Sequence, residues 1–429
     1  MVRRVRRGRR IPWHRPSRPG RAACRCSPSW AAYLVSGIGT AMSAVAIPWL
    51  VLVTTGSAAA TGLVGFAQMA PYVVFQAASG PLIDRIGLRR AFLAGNALAG
   101  CAVCAIPALY ASGALPLGLL AGLGAIASAA RGVADSATTP MIPPLTTLAR
   151  TATERAIGLY SAANRTAMLV GMPLAGVVIA VAGPATAVLA DGVSFLAGVA
   201  VVAAAVPAFP KSTARAAPMR LRGFLGELGE GLRFLRSDRL LLAVVALVVV
   251  TNLLDEALTS VFLPVWAHDR VHQPEALGLV GGLSGVGMLV GVSIAAWLGP
   301  RLPRWLTFAL GNLLSAAPPF FALAGWDALV PVGIVFAACG VFGGMPNPII
   351  GAVQFERIPE QLQTRVLGAI KASAWVGVPF GALLGGALTQ AVGLAWAVSL
   401  AGTLMLLVTA APLVFPMWRQ LDRAPDPAA

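Results

Sequence analysis

Twelve long apolar runs, recurring at a near-regular beat, limit this chain more than any other feature. They fall at residues 29–53, 61–82, 91–112, 115–137, 156–182, 185–206, 240–267, 276–298, 305–325, 328–350, 366–391 and 394–415. A helix needs about 20 mostly apolar residues to cross about 30 Å of hydrocarbon. In lipid every backbone N–H and C=O must be paired inside the protein, and a helix does this within its own segment. The pattern predicts an all-α polytopic membrane protein with twelve transmembrane helices. Composition agrees: 11% of the 429 residues are charged, against about a quarter in soluble domains.

The basic residues test that count. Loops that stay in the cytoplasm retain an excess of Lys and Arg. With the amino terminus inside, the outward loops are 54–60, 113–114, 183–184, 268–275, 326–327 and 392–393, and of 32 Lys and Arg only Arg270 falls in one of them. Miscounting by one helix would invert every later loop and destroy the asymmetry. The expectation is a multi-pass protein of the cell membrane with both termini cytoplasmic. The formal charge of +16 does not point to nucleic acid. It is local, since ten arginines precede Cys26 with no Asp or Glu among them. Residues 1–28, rich in Arg and Pro, read as a disordered cytoplasmic tail able to touch anionic lipid. The apolar run behind them is too long for a signal-peptide core.

The remaining divisions follow. Residues 29–206 form a first six-helix bundle, 207–239 a cytoplasmic linker, 240–416 a second six-helix bundle, and 417–429 a cytoplasmic tail. The linker carries Lys211, Arg215, Arg220 and Arg222, then Phe224, Leu228, Leu232 and Leu235 at helical spacing, which predicts an interfacial amphipathic helix. The bundles echo each other. Ile47-Pro48-Trp49 matches Leu263-Pro264-Val265, and Gly62-Leu63-Val64-Gly65 matches Gly278-Leu279-Val280-Gly281, both at an offset of 216. Arg165, Gly171 and Pro173 share their spacing with Lys371, Gly377 and Pro379, and Gly80-Pro81 has a degenerate counterpart in Gly299-Pro300. Two pseudo-symmetric bundles place a substrate cavity at their interface near the bilayer midplane. That cavity is expected to be mostly Ala, Gly, Val and Leu with few aromatics.

Between the second and third runs lies Gly80-Pro81-Leu82-Ile83-Asp84-Arg85-Ile86-Gly87-Leu88-Arg89-Arg90. Its glycines allow a reversal, Asp84 suits the start of the next helix, and its arginines hold the loop inside. The segment resembles the signature loop of the major facilitator superfamily, with Leu88 where that pattern has a basic residue. The segments Asp135–Pro143 and Ala190-Asp191-Gly192-Val193-Ser194-Phe195 are similar to the bacterial drug- and macrolide-efflux branch, which includes siderophore exporters. The resemblance implies a secondary transporter working by alternating access, energised by a proton gradient with no cofactor. It implies export of small hydrophobic or amphipathic compounds, or else of siderophores or metabolites. An importer of the same fold or a membrane sensor is a further alternative. Gly171, Pro173 and Gly176 in the fifth run resemble an antiporter motif, with Met172 and Val177 departing from it; packing of small residues explains them equally.

The same resemblance implies gate roles for Gly80, Asp84, Arg85, Gly87, Arg89, Arg90, Arg131 and Asp135. Asp84 would lock to the start of the eleventh helix near Arg365 and Val366, and Asp135 would pair with Arg89 or Arg90. By position alone, Arg131 and Asp135 share a helix face.

Ionisable groups within spans cost about 2.5–3.5 kcal/mol each on insertion scales and need a reason. Asp191 lies about 10 Å deep in the sixth run by helical rise, and its repeat counterpart is Ala401. It reads either as a proton carrier or as a helix-to-helix hydrogen-bond acceptor. Asp255 and Glu256 point about 100° apart, so one is expected to face the central cavity, for proton exchange or a cationic substrate. Arg165 and Lys371 read as anion binders between the halves or as snorkelling side chains.

Other signals are bland. Cys101 and Cys104 sit in a lipid-embedded run and read as packing. His268 and His272 have ligand spacing but no further ligand set, so no metal site is expected. No phosphate-binding Gly-rich motif with Lys occurs. The expected partners are a small-molecule substrate and the bilayer, for a monomeric chain with no nucleic-acid role and no enzymatic one.

Overall fold

The computed structural model describes residues 21–149, 152–206, 221–298 and 301–422. The amino-terminal arginines up to residue 20, the linker segment 207–220 with Lys211, Arg215 and Arg220, the pair Gly299-Pro300, and residues 423–429 lie outside the described residues.

Twelve helical runs are long and apolar enough to cross a membrane: α1 Tyr33–Thr55, α2 Ala58–Ala78, α3 Leu88–Ala111, α4 Leu117–Thr147, α5 Thr153–Ala182, α6 Pro184–Ala205, α7 Arg239–Val271, α8 Glu275–Leu298, α9 Arg304–Gly325, α10 Leu329–Arg357, α11 Gln363–Val392 and α12 Leu394–Val414. The described residues contain no strand. Breaks in the later runs have visible causes. The pieces Pro318–Gly325, Pro346–Arg357 and Val378–Val392 each begin with a proline in the first or second position, where the missing N–H costs nothing. Helix α7 contains two π turns, Leu258–Phe262 and Ala267–Val271.

In the first bundle α1 lies against α5 and α6, α2 against α4, and α3 against α4 and α6. In the second, α8 lies against α10, α7 against α11, and α9 against α12. The bundles meet along α2–α11 and α5–α8, the pairs the internal repeat relates. Gly62 of α2 sits on the backbone of α11 at Ala382 and Gly386, and Gly278 of α8 on Met172 and Pro173 of α5; a Cβ at either glycine would collide with backbone.

These contacts lie toward the face opposite the linker. There, one apolar core runs through both bundles and includes Leu50, Ile106, Phe262, Trp266 and Phe320. Trp49 meets His268 edge-on at 5.5 Å, and Ser57 Oγ reaches Gln390 Oε1 at 3.3 Å. On the linker face the core splits into separate clusters, one in the second bundle and two in the first. The molecule is closed on the far face and parted on the linker face.

Three boundaries differ from the sequence reading, and the linker helix has a packing partner that the sequence did not reveal. The first helix begins at Arg21, because extending an existing helix costs little, so residues 21–28 are not part of a disordered tail. The linker helix Leu221–Ser237 lays its apolar face on α11. Leu228, Leu232 and Leu235 pack with Val366 and Ala369 of α11, and Glu230 accepts from Arg365 at 2.5 Å. The linker ends at Asp238, whose carboxylate caps α7 through Leu240 N and Leu241 N and pairs with Arg357 at 2.8 Å. Residues Pro416–Asp422 are a 3-10 turn folded onto the second bundle. Trp418 stacks on Phe308 at 5.6 Å, and Asp422 accepts from the first-turn N–H of Trp305 at 2.9 Å.

The far-face seam is testable by cross-linking. With the native cysteines replaced, Ser57→Cys and Gln390→Cys should be joined by a short bismaleimide, and Gly386→Leu should cut the yield severalfold. Equal yields with and without the leucine, read on a denaturing gel, would show that glycine does not set this approach.

Candidate functional site

A cavity of about 770 Å³ occupies the linker-face half of the molecule, walled by all six helices of the first bundle and by Lys371 and Trp375 of α11. It is not the bland apolar pocket expected from composition. Six aromatic rings line it: Tyr33, Tyr72, Phe92, Tyr160, Phe195 and Trp375. Tyr33 and Tyr160 lie 4.8 Å apart and Tyr72 and Trp375 6.4 Å apart, centre to centre. Polar groups such as Gln76, Asn96 and Asn164 alternate with them. Rings with hydroxyl, indole and amide edges suit ligands that are part apolar and part polar.

Arg131 stands at the centre. Its guanidinium carbon is 5.5 Å from the centre of Phe195 and 5.9 Å from that of Tyr72, and Nη2 is 3.9 Å from Asp135 Oδ2. Asp135 also accepts from Tyr72 Oη at 3.1 Å, and Gln76 Nε2 donates to Tyr72 Oη at 3.0 Å. The four-residue spacing of Arg131 and Asp135 brings them together as helical geometry requires. Asp135 does not pair with Arg89 or Arg90. Arg89 donates through Nε to Val206 O at 2.7 Å and through Nη2 to Ala203 O at 2.8 Å, satisfying the last carbonyls of α6.

The signature loop forms a short helix, Gly80–Ile86, ended by Gly87 at φ 88°, a conformation in which glycine avoids a Cβ clash. Asp84 therefore lies within that short helix and not at the start of α3. Asp84, Arg85 and Arg90 are exposed, and none has an ion pair among the described residues. Asp84 does not reach the start of α11 in this state. Arg365 is engaged by Glu230 and Val366 is buried in the linker cluster.

Asp191 is 2% exposed, and its Oδ1 has no hydrogen-bond partner. The buried hydroxyl of Ser43 on α1 faces this carboxylate. Asp191 lies one turn before Phe195 on the same face of α6, at the closed end of the cavity. Ser43 is the α1 group placed for the helix-to-helix contact, and Ser194 donates to the Asp191 backbone carbonyl.

Asp255 and Glu256 diverge as adjacent helical residues must, but neither lines the main cavity. Asp255 faces a second cavity, of about 430 Å³, inside the second bundle. Glu256 accepts from Ser260 Oγ at 2.5 Å and lies against Gly381 of α11. The repeat-related pair also separates: Lys371 lines the main cavity, whereas Arg165 is exposed outside it. Gly171 packs on Ile38 and Ala41 of α1, while Pro173 and Gly176 meet α8, so these three residues build a close helix seam. His268 Nδ1 contacts Asp269 Oδ1 at 2.6 Å, and among the described residues no group of three or more His, Cys, Asp and Glu could hold a metal.

Sequence reading missed the tyrosines and Trp375. A signal existed: the chain has four tyrosines, and three of them line this one cavity.

The family model described as Major Facilitator Superfamily matches residues 29–274 and 245–429. The chain belongs to the major facilitator superfamily. As such it is a multi-pass membrane transporter. The chain is 31% identical over 403 residues to the multidrug efflux pump Tap of Mycobacterium tuberculosis, covering 92% of this chain and 94% of that one. Among solved superfamily structures, the nucleoside transporter NupG gives a TM-score of 0.71 at 12% identity, over 92% of this chain and 98% of that one. A bacterial homologue of the human lysosomal transporter Spinster, in an inward-facing and unoccupied conformation, gives 0.66 at 13%, over 95% and 98%.

Water access separates the two carriers of charge. Lys371→Cys should react readily with a water-soluble maleimide in detergent solution, and Asp191→Cys should stay unmodified. Mass spectrometry of the labelled chain reads the result, and rapid labelling at position 191 would mean that the cavity extends past Phe195.

Proposed function

We propose that the chain exports small amphipathic, ring-bearing compounds by alternating access, in exchange for protons. The observation that carries this reading is the main cavity. Its aromatic walls, amide groups and single Arg131–Asp135 pair match a ligand with a flat apolar body and a few polar groups. The basic-residue asymmetry makes the linker face cytoplasmic, so the parted state takes up ligand from inside. The likeness to a multidrug efflux pump supports outward movement of drug-like cargo.

Rocking of the bundles about the α2–α11 and α5–α8 seams would close the linker face and part the far one. In that state the signature-loop Asp84 could meet α11, a gate role that the open state leaves unused. Asp191 is our candidate for the coupling acid. An unpaired carboxylate in a buried site is costly, and a bound proton removes the charge. Its place beyond Phe195 would let the far side supply that proton once the cavity opens there. Lys371 in the cavity wall favours a second reading, in which the cargo also carries an acidic group, as a siderophore does.

Inside-out vesicles with an imposed proton gradient, offered a panel of hydrophobic dyes, drugs and siderophore-like acids, test the reading. Wild type should accumulate at least one ring-bearing compound. Trp375→Ala should raise its half-saturating concentration about tenfold, the loss of roughly 1.4 kcal/mol of stacking and apolar contact. Asp191→Asn should bind the compound but lose gradient-driven accumulation. Accumulation that survives Asp191→Asn would remove this acid from coupling, and inward saturable uptake without pH dependence would replace export with import.

A further inference from the structure

We infer that the second bundle supplies half of the substrate site, so that the favoured cargo is a zwitterion: a ring compound with an acidic group held by the first bundle and an amine held by the second. The inference rests on the reading of the main cavity as the cargo site. The second half is the cavity of about 430 Å³ bounded by α7, α8, α9 and α10, in which Asp255 is the charged residue. Among the described residues no Lys, Arg or His borders it. Among those residues the Asp255 carboxylate also has no ion pair, and Thr259 donates to its backbone oxygen instead. The carboxylate is open to solvent.

The walls of this cavity suit an organic group. Asn252 Nδ2 donates to Ala374 O at 3.0 Å, and Asn312 Nδ2 to Phe308 O at 2.9 Å. Each amide keeps one N–H and its oxygen for the cavity, and Asn347 and Ser284 add further donors and acceptors. Such a mixture matches an amine with polar neighbours, whereas a metal ion uses acceptors alone. The scaffold does not call for Asp255. At the offset of 216 its counterpart is Gly39, which packs against Asp191 and Ser194.

The two cavities adjoin and differ in sign. Ala374, which accepts from Asn252, precedes Trp375 of the main cavity. Met172 of the main cavity lies against Gly281 of α8, three residues before Ser284 of the second cavity. The lining of the main cavity carries Arg131 and Lys371 against one acid, Asp135. The lining of the second carries Asp255 alone. An ammonium is drawn to the second cavity and repelled by the first, and a carboxylate the reverse. Helices α7 and α11 both run away from the linker face. With Asn252 level with Ala374, Lys371 lies three residues nearer that face and Asp255 three residues further from it. That is about 9 Å along the helices, a separation that one small molecule spans.

Four fluorescent probes that share a dansyl ring test this on the purified full-length protein in detergent at neutral pH. They are dansylamide (uncharged), dansylcadaverine (amine), dansyl-aminocaproic acid (acid) and Nα-dansyl-lysine (both). Wild type should hold the doubly charged probe most tightly. Asp255→Asn should weaken the two amine probes about fivefold, the scale of a hydrated ion pair, and spare the other two. Lys371→Gln should weaken only the two probes that carry an acid. Added salt should shrink the wild-type preference for the doubly charged probe over the uncharged one, which keeps the test valid if a variant folds poorly. A wild type without that preference overturns the inference. So does an Asp255→Asn protein that binds all four probes equally less well, since the carboxylate would then only support the fold. Trp375→Ala checks the cargo site separately. It should weaken all four probes alike, and unchanged binding would strike the ring-binding reading while the charge pattern still decides this one.

Discussion

Backbone contact between helices at the two far-face seams is the interaction on which the rest of the structure depends. Lipid gives apolar helices little reason to prefer one another over the solvent. Their association rests on close packing, and close packing needs residues without bulk. Gly62 against Ala382 and Gly386, and Gly278 against Met172 and Pro173, provide it at pseudo-symmetric places. Because both seams lie in the same half of the molecule, closing one face leaves the other parted. The cavity is a consequence of where the small residues are as much as of what lines it.

The internal repeat made this much legible. The offset of 216 that relates Gly62 to Gly278 and Gly65 to Gly281 is a relation between seam positions, because α2 meets α11 as α8 meets α5. Gly171 against α1 has its counterpart in Gly377 against α7. Twelve spans were readable for an equally physical reason, since each must carry its own hydropathy. The misread segments are those whose environment hydropathy does not encode. The linker helix was legible as amphipathic, but its packing partner, α11, was not. Residues Pro416–Asp422 are polar enough to pass for a tail, yet Trp418 and Leu421 are buried.

The cavity was less legible because no single stretch holds it. Its rings come one each from α1, α2, α3, α5, α6 and α11, and each is unremarkable within its own run. Only the register of all six helices brings them together. Arg131 and Asp135 could be placed on one face because both lie on one helix. The expectation that Asp135 meets Arg89 required two helices in a particular state, and the α6 carbonyls at Ala203 and Val206 hold Arg89 instead.

Symmetry and its loss divide the labour between scaffold and chemistry. Glycines and prolines are repeated between the bundles, and they set seams and kinks. The ionisable groups do not keep matched places. Asp191 in α6 corresponds through the repeat to Ala401 in α12, and both are buried. Lys371 enters the main cavity while its counterpart Arg165 stays outside. The consequence is two bundles of one shape with opposite interiors. The first surrounds a cavity with a guanidinium flanked by rings, and the second lines its cavity with one carboxylate among amides and hydroxyls. A duplicated fold can rock about its seams only if the seam residues stay matched, which holds the glycines in place. Nothing in the rocking constrains the interiors, so they are free to diverge, and a charge with no partner in the repeat is where the chemistry of such a molecule is to be sought.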